Sequence, residues 1–146
     1  MPIRKEPQTR WAWVEIDQGA LRRNTRAFKN LLGPRQRLCC VVKADAYGHG
    51  APQCAKIMQA AGADMLAVAT VAEGVELRRS GISVPVLVLN EPPLTAIDTL
   101  LEHQIMPSLY TSEFAMAYGE RAVQLGCVGK YHMAIETGMN LSLIHI

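Results

Sequence analysis

The sequence has little of what marks a nucleic-acid-binding, membrane or secreted protein. Its formal net charge is only +2 over 146 residues, which argues against a polybasic surface for nucleic acid or anionic lipid. Aromatic residues make up 5% of the chain, too few for a platform that stacks single-stranded bases. No apolar run approaches the roughly 20 residues of a membrane span, and MPIRKEPQTRW at the N-terminus lacks the apolar core of a signal peptide. These absences predict a cytoplasmic protein with no nucleic-acid or membrane partner.

Cysteine motifs for disulfides or metals are also missing. The four cysteines, Cys39, Cys40, Cys54 and Cys127, include no C-x-x-C pair. The neighbours Cys39 and Cys40 would point to opposite faces of a strand, so they suit neither a mutual bridge nor one shared metal. We therefore expect no metal site and four reduced thiols that mostly fill the core.

Strand and helix patterns alternate along the chain. Hydrophobic residues make up 49% of it, enough for the core of one domain. Three apolar runs, at 37–43, 65–70 and 84–89, have the composition of strands buried on both faces of a parallel sheet. Further strands are predicted at 11–16, 105–109 and 131–135.

Helices are predicted between these strands. Asp17 and Thr111 are expected to cap the first and the last of them, and the others are placed at 51–61, 71–79 and 95–102. Two helical faces are predicted to be buried: Leu21, Thr25, Phe28 and Leu32 in the first helix, and Phe114, Tyr118 and Leu125 in the last.

Two α/β architectures fit this alternation, a doubly wound sheet and an eight-stranded barrel. A doubly wound dinucleotide fold would want G-x-G-x-x-G after its first strand, whereas the first buried strand here ends in Lys43. Functional residues at the carboxyl ends of strands are typical of (β/α)8 barrels, which take about 250 residues. The sequence therefore predicts α/β structure and the N-terminal part of a TIM-type barrel, with a little over half of its strands.

Lys43 is the first candidate for chemistry. It follows Val41 and Val42 in the segment VVKADAYGHG, residues 41–50. A lysine amine can form an imine with the aldehyde of pyridoxal phosphate and can later carry a proton. An apolar strand end keeps such an amine partly away from water, which distinguishes it from an ordinary surface lysine.

The residues after Lys43 suit an anion. The hydroxyl of Tyr47 could reach a phosphate oxygen, and Gly48 and Gly50 let the backbone approach an anion closely and enter a helix N-terminus. His49 is expected to face the helix start or solvent, so we leave it out of the predicted site.

VVKADAYGHG closely resembles the signature of alanine racemases, pyridoxal-phosphate enzymes built on an eight-stranded barrel. Residues 11–32 (WAWVEIDQGALRRNTRAFKNLL) resemble the family's opening strand and helix. Residues 65–89 (MLAVATVAEGVELRRSGISVPVLVL) are similar to the strand units that follow the lysine strand. Residues 131–140 (YHMAIETGMN) are similar to the segment that brings substrate-contacting groups into the site. The resemblance implies racemisation of L- and D-alanine, which supplies D-alanine for peptidoglycan.

The resemblance also implies roles for two residues. Lys43 would hold the cofactor and act as the base on one face of the substrate, and Tyr47 would bind the phosphate. In the family the second base is a tyrosine from the partner subunit, in a C-terminal domain beyond this chain. We therefore expect a homodimer in the full-length enzyme and no racemase activity from this chain alone.

The chain departs from the family pattern at two places. The family often carries a lysine where Ala134 stands, which keeps a broader-specificity amino-acid racemase open as an alternative. Leu141 stands where the family has an arginine, and residues 141–146 resemble a translation of a transposon end used in DNA library preparation. We expect the barrel portion to span 1–140, with 141–146 a non-native tail. A non-catalytic pyridoxal-phosphate-binding barrel protein is the third reading.

Overall fold

The computed structural model describes residues 14–135 and 137–138. Within them lie five strands: β1 (Cys39–Val41), β2 (Met65–Val68), β3 (Val86–Val88), β4 (Ile105–Leu109) and β5 (His132–Met133). The helices are α1 (Gln18–Leu31), the short turn α2 (Lys43–Gly48), α3 (Ala51–Ala60), α4 (Val71–Arg79), α5 (Ile97–Glu102) and α6 (Ser112–Gln124), with a 3-10 turn at Leu94–Ala96. No helix among these residues is long and apolar enough to cross a membrane.

The order of the strands decides between the two predicted architectures. All four strand pairs are parallel, and the sheet runs β1-β2-β3-β4-β5, so each strand pairs with the next one along the chain. A doubly wound sheet reverses its direction at a switch point. Here the chain always steps the same way, which puts the connecting helices on one face and makes the sheet an arc of a barrel. The prediction of the N-terminal part of a TIM-type barrel is confirmed.

The core lies between this arc and its helices. Alternate residues of each strand point toward the helices. The largest fully buried side chains of the core come from both the strands and the helices, and they include Val42, Leu66, Val68, Leu77, Val86, Val88, Leu100 and Ile105. Burying an aliphatic side chain of this size contributes about 1.5–3 kcal/mol. Helix α4 comes close to the sheet at Gly74, because a Cβ there would lie 2.9 Å from Cδ1 of Ile105.

The Arg78 side chain binds backbone carbonyls at the amino ends of β3 and β4. The Arg78 guanidinium donates to the carbonyls of Ile82 (2.9 Å), Val84 (2.7 Å), His103 (3.0 Å) and Gln104 (3.0 Å). Burial lowers the pKa of this guanidinium from its usual value, but arginine stays charged at any pH at which proteins fold. Arg78 therefore replaces the water that these carbonyls would otherwise need.

Asp64 fastens the amino end of β1 and β2 to α1. Its carboxylate accepts from Lys29 Nζ at 2.6 and 2.8 Å and from the Leu38 backbone N–H at 2.5 Å. The Lys29 hydrogen bond, followed by that from Leu38, lowers the pKa of Asp64 below 3.8. The pair holds α1 against the start of the sheet.

The contact with Asp64 explains why the predicted face of α1 is partly wrong. Leu21 is partly buried and Thr25 is buried as expected, but Phe28 is 63% exposed. Lys29, four residues after Thr25, takes the inward position instead, since it reaches Asp64. The spacing of apolar residues alone could not reveal this rotation. Similarly, Leu125 is exposed because it ends α6 rather than lying on its buried face.

The first predicted strand, at 11–16, has only its end within the described residues. Residues 14–16 form no strand, and the rest of the prediction lies outside the described part, as do residues 141–146 of the predicted tail. The helices predicted at 51–61, 71–79 and 95–102 and the strands at 65–70, 84–89, 105–109 and 131–135 are confirmed, most of them with shorter bounds.

Burial of β1 on both faces was also a wrong expectation. Cys39 is exposed and Val41 is 38% exposed, while Val42 is fully buried. The exposed residues of β1 point to the concave side of the arc, which the described residues do not close into a complete barrel. The cysteines are all free, as expected, but only Cys54 is buried. Cys39 and Cys127 are exposed and fill no core.

Replacing Arg78 should test its role as a carbonyl binder. We expect Arg78→Met to lower the free energy of unfolding by about 2–3 kcal/mol, because the aliphatic replacement leaves four carbonyls without their donors. Arg79→Met, the change at the exposed neighbour, should have an effect below about 0.5 kcal/mol. Urea unfolding followed by circular dichroism measures both, and equal effects would contradict the assigned role.

The stabilisation from Asp64 should depend on pH. Its folded pKa lies below its unfolded value, so its contribution is present above about pH 4 and is lost as the pH falls through the folded pKa. The difference in melting temperature between the native chain and Asp64→Asn should therefore be large at pH 7 and should shrink toward pH 3. Glu120→Gln, on the exposed face of α6, serves as the control. A gap that stays constant with pH would contradict the role of the charge.

Candidate active site

Lys43 lies at the carboxyl edge of the sheet, two residues beyond the end of β1. The Val42 backbone N–H donates to the Ala67 carbonyl at 2.8 Å, which extends the ladder to the residue before Lys43. Because Val42 points toward the helices, alternation turns Lys43 toward the concave side of the arc. The lysine is partly buried, and its amine makes no hydrogen bond or ion pair with any residue that the structure describes. The Lys43 amine is therefore not committed to a structural role within the part of the chain that the structure describes.

The backbone after Lys43 makes a left-handed turn. Ala44, Asp45, Ala46 and Tyr47 have φ values of 51°, 53°, 51° and 56°. A left-handed conformation costs an L-residue about 1–2 kcal/mol, and four in succession are rare. Gly48 follows with φ 81°, a value that only glycine adopts without strain. The surrounding side chains must offset this strain.

Glu73 holds the start of this turn from the next unit of the barrel. One carboxylate oxygen accepts from the Ala44 N–H at 2.7 Å, and the other accepts from the N–H groups of Ala69 (2.8 Å) and Thr70 (3.0 Å). The Thr70 hydroxyl accepts in return from the Glu73 N–H at 3.3 Å, which completes a capping box on α4. Glu73 thus joins the ends of β1 and β2, and sequence reasoning missed it. The T-x-x-E spacing was the available signal.

His49 holds the end of the same turn. Its Nδ1 lies 2.8 Å from the Ala46 carbonyl oxygen and 3.1 Å from that of Tyr47. Both oxygens are acceptors, so Nδ1 carries a proton and donates to them. The ring is otherwise exposed, as expected from the sequence. The His49 backbone N–H also donates to the Ala46 carbonyl, at 3.2 Å.

Tyr47 and the start of α3 differ in their availability to an anion. The Tyr47 side chain is 59% exposed, and its hydroxyl bonds to no residue within the described part of the chain. By contrast, Asp45 Oδ1 accepts from the Ala51 N–H at 2.6 Å, and Pro52 has no N–H to offer. One N–H group at the helix N-terminus that the sequence suggested for phosphate is thus bound by a carboxylate, and the next residue has none. The Tyr47 hydroxyl is the clearer candidate for phosphate binding.

The other strand ends at this edge are also joined by side chains. Glu91 accepts from the N–H groups of Tyr110 (2.5 Å) and Thr111 (2.8 Å), and the Tyr110 hydroxyl donates to the Leu89 carbonyl at 2.6 Å. Asn90 Nδ2 donates to the Ala69 carbonyl at 3.2 Å. The sequence indicated only a turn here, because no local pattern reveals contacts across about 20 residues.

The cavities of the described residues do not mark the site by themselves. A groove of about 460 Å³ lies beside the turn, with Ala46, Tyr47 and His49 in its wall, but Lys43 does not line it. A second cavity of about 400 Å³ lies near Arg78 and Tyr118, at the opposite end of the sheet. No group of three or more acidic, histidine or cysteine side chains in the described part could hold a metal ion. The strand end and its turn, rather than a cavity, define the candidate site.

The fold and the position of the free lysine define the class of protein. A barrel arc of parallel strands that carries an uncommitted lysine beyond a carboxyl strand end is typical of (β/α)8 barrel enzymes. The family model described as "Alanine racemase, N-terminal domain" matches residues 16–142. This chain belongs to the alanine racemase family.

Individual relatives agree with this membership. An alanine racemase of Synechocystis sp. is 45% identical over 131 residues, which are 88% of this chain and 35% of the relative. The structure of alanine racemase from Bacillus anthracis with bound L-Ala-P is similar with a TM-score of 0.82 at 34% identity, over 97% of this chain and 36% of that one. A histidine racemase from Leuconostoc mesenteroides gives a TM-score of 0.75 at 27% identity, over 85% and 33%. The chain thus spans about a third of the length of these relatives.

Glu73 should be needed for the conformation of the turn. Glu73→Gln keeps the size of the side chain but replaces one charged acceptor oxygen by an amide donor, which would face a backbone N–H. We expect a loss of about 1–3 kcal/mol in the free energy of unfolding. Glu76→Gln, at an exposed position of the same helix, should change it by less than about 0.5 kcal/mol. Amide hydrogen exchange at Ala44 and Ala69 should accelerate in Glu73→Gln alone, and unchanged exchange there would contradict the role.

Proposed function

We propose that this chain is the cofactor-binding part of a pyridoxal-phosphate-dependent racemase that interconverts L- and D-alanine. The observation that carries the proposal is Lys43, whose partly buried amine lies beyond the carboxyl end of a barrel strand and has no partner among the described residues. Its place in the family signature VVKADAYGHG gives this amine a chemical purpose.

The residues present fit the cofactor. Lys43 would hold its aldehyde carbon covalently, and the Tyr47 hydroxyl, which has no partner among the described residues, would donate to its phosphate. Bound pyridoxal phosphate supplies an electron sink for the charge left when an amino acid loses its α-proton. The part of this chain is to hold the ring by its two ends and to move that proton at Lys43 Nζ.

The substrate in this proposal is alanine. Support comes from the names of the relatives and from the L-Ala-P bound to the Bacillus anthracis structure. D-alanine for peptidoglycan, a homodimer, a partner tyrosine as second base and a cytoplasmic location belong to the same proposal and rest on family membership. The barrel portion is taken to span residues 1–140.

A racemase of broader specificity is the second candidate. Ala134 lies just after β5, where its N–H donates to the Leu109 carbonyl at 3.0 Å. It therefore stands at the same carboxyl edge as Lys43, where a side-chain difference can change the pocket. The similarity to a histidine racemase is compatible with such a change. Comparing alanine with larger amino acids as substrates of the longer protein would separate the two candidates.

The reaction of Lys43 with pyridoxal phosphate is the direct test. When pyridoxal phosphate is added to the chain, we expect an absorbance band at about 420 nm, the wavelength expected of the lysine-bound cofactor. Lys43→Ala should abolish this band, whereas Lys56→Ala, at an exposed position of α3, should retain it. Borohydride reduction followed by peptide mass spectrometry should locate the label on Lys43. A folded chain that shows no such band, or a label shared evenly among lysines, would refute the proposal.

A further inference from the structure

We infer that His49 is a positioning residue for the phosphate of the cofactor, acting through the left-handed turn that carries Tyr47. The inference rests on the proposed function. It gives a role to His49, which the sequence analysis did not include in the predicted site. The Tyr47 hydroxyl is the donor that meets the phosphate, and His49 sets where the Tyr47 backbone lies.

The geometry of the two hydrogen bonds carries this inference. The proton on Nδ1 of His49 is shared between the carbonyls of Ala46 (2.8 Å) and Tyr47 (3.1 Å), the last two residues of the left-handed run. In this conformation both carbonyls point to one side, so a single donor can bind them together. An extended or right-handed backbone at Tyr47 would break the pair. The hydrogen bonds therefore favour the strained conformation specifically.

His49 is itself fixed in place by the start of α3. Its carbonyl accepts from the Cys54 thiol at 3.6 Å, and the next residue, Gly50, has its N–H bound to the Asp45 carbonyl at 2.9 Å. Gly50 has φ 92°, which lets the chain turn into α3 directly after the histidine. The ring thus projects from the hydrogen-bonded start of α3 onto the turn. Glu73 binds the other end of the turn, at Ala44, and so does not substitute for His49.

Substitutions at His49 can separate its donor from its bulk. In asparagine, Nδ2 occupies the same covalent position as Nδ1 of histidine, so His49→Asn keeps a donor for the two carbonyls. Glutamine places its amide one bond further out, at the position of Nε2, so His49→Gln keeps polarity but loses the donor. Tyr47→Phe removes the hydroxyl that the turn is inferred to aim.

The experiment compares pyridoxal phosphate with pyridoxal, which has the same aldehyde and no phosphate. The dissociation constant of each aldehyde is measured by absorbance at about 420 nm, and borohydride trapping verifies that the aldehyde is bound at Lys43. We expect His49→Gln to weaken pyridoxal phosphate about tenfold, as for one lost hydrogen bond, and to leave pyridoxal unchanged. His49→Asn should stay within about threefold of the native chain. For each variant, the dissociation constant for pyridoxal phosphate is divided by that for pyridoxal. A smaller folded fraction affects both constants equally, so it does not alter their ratio.

A double-mutant cycle tests whether His49 acts through Tyr47. If it does, His49→Gln should cause no further loss of phosphate preference in the Tyr47→Phe background. Equal weakening of both aldehydes, or fully additive effects of the two substitutions, would overturn the inference and leave His49 a purely structural residue. A native chain that takes up neither aldehyde at Lys43 would overturn the proposed function itself. Uptake with an unchanged phosphate preference in His49→Gln would overturn the inference alone.

Discussion

The left-handed turn after β1 is the constraint on which the candidate site depends. Four successive non-glycine residues, Ala44 to Tyr47, occupy a conformation that costs about 4–8 kcal/mol in total. Such a turn persists only where its surroundings over-determine it. Glu73 binds its start, His49 binds its end, and Asp45 connects its middle to α3. The strain is thus offset by polar side chains from three different places in the sequence.

Polar side chains bind backbone groups at both edges of the sheet. At the amino edge, Arg78 and Asp64 bind backbone groups of neighbouring strands and hold the helices in place. At the carboxyl edge, Glu73 and Glu91 do the same work between strand ends. These carboxylates accept from backbone N–H groups, and the Lys43 amine has no partner among the residues that the structure describes. The carboxyl edge therefore combines hydrogen bonds that stabilise the strand ends with a lysine that is available for chemistry.

Part of the fold and of the site was predictable, and the limits have physical causes. Caps and glycines located the ends of α1 and α6, and continuous apolar runs located the strands. Which side chain of α1 faces inward was less predictable. Lys29 faces inward and Phe28 is exposed, because Lys29 forms an ion pair with Asp64. Lys43 and Tyr47 were found because they sit in one short segment. Glu91 was missed because its partners are distant in sequence, and so was the contact of Glu73 with Ala44, although the T-x-x-E spacing signalled the capping box of Glu73.

The sequence by itself determined the alternation of strands and helices, the positions of Lys43 and Tyr47, and the family to which the segment 41–50 belongs. These depend on local spacing and on residue identity, which the chain displays directly. Tertiary structure alone decided that the strands follow one another in a single direction, that Asp45 binds the N–H of Ala51 at the start of α3, and that His49 faces two carbonyls. Each of these depends on where the backbone lies in space. Every residue type except proline offers the same backbone N–H and C=O groups. The sequence therefore does not show which of these groups a distant side chain will bind.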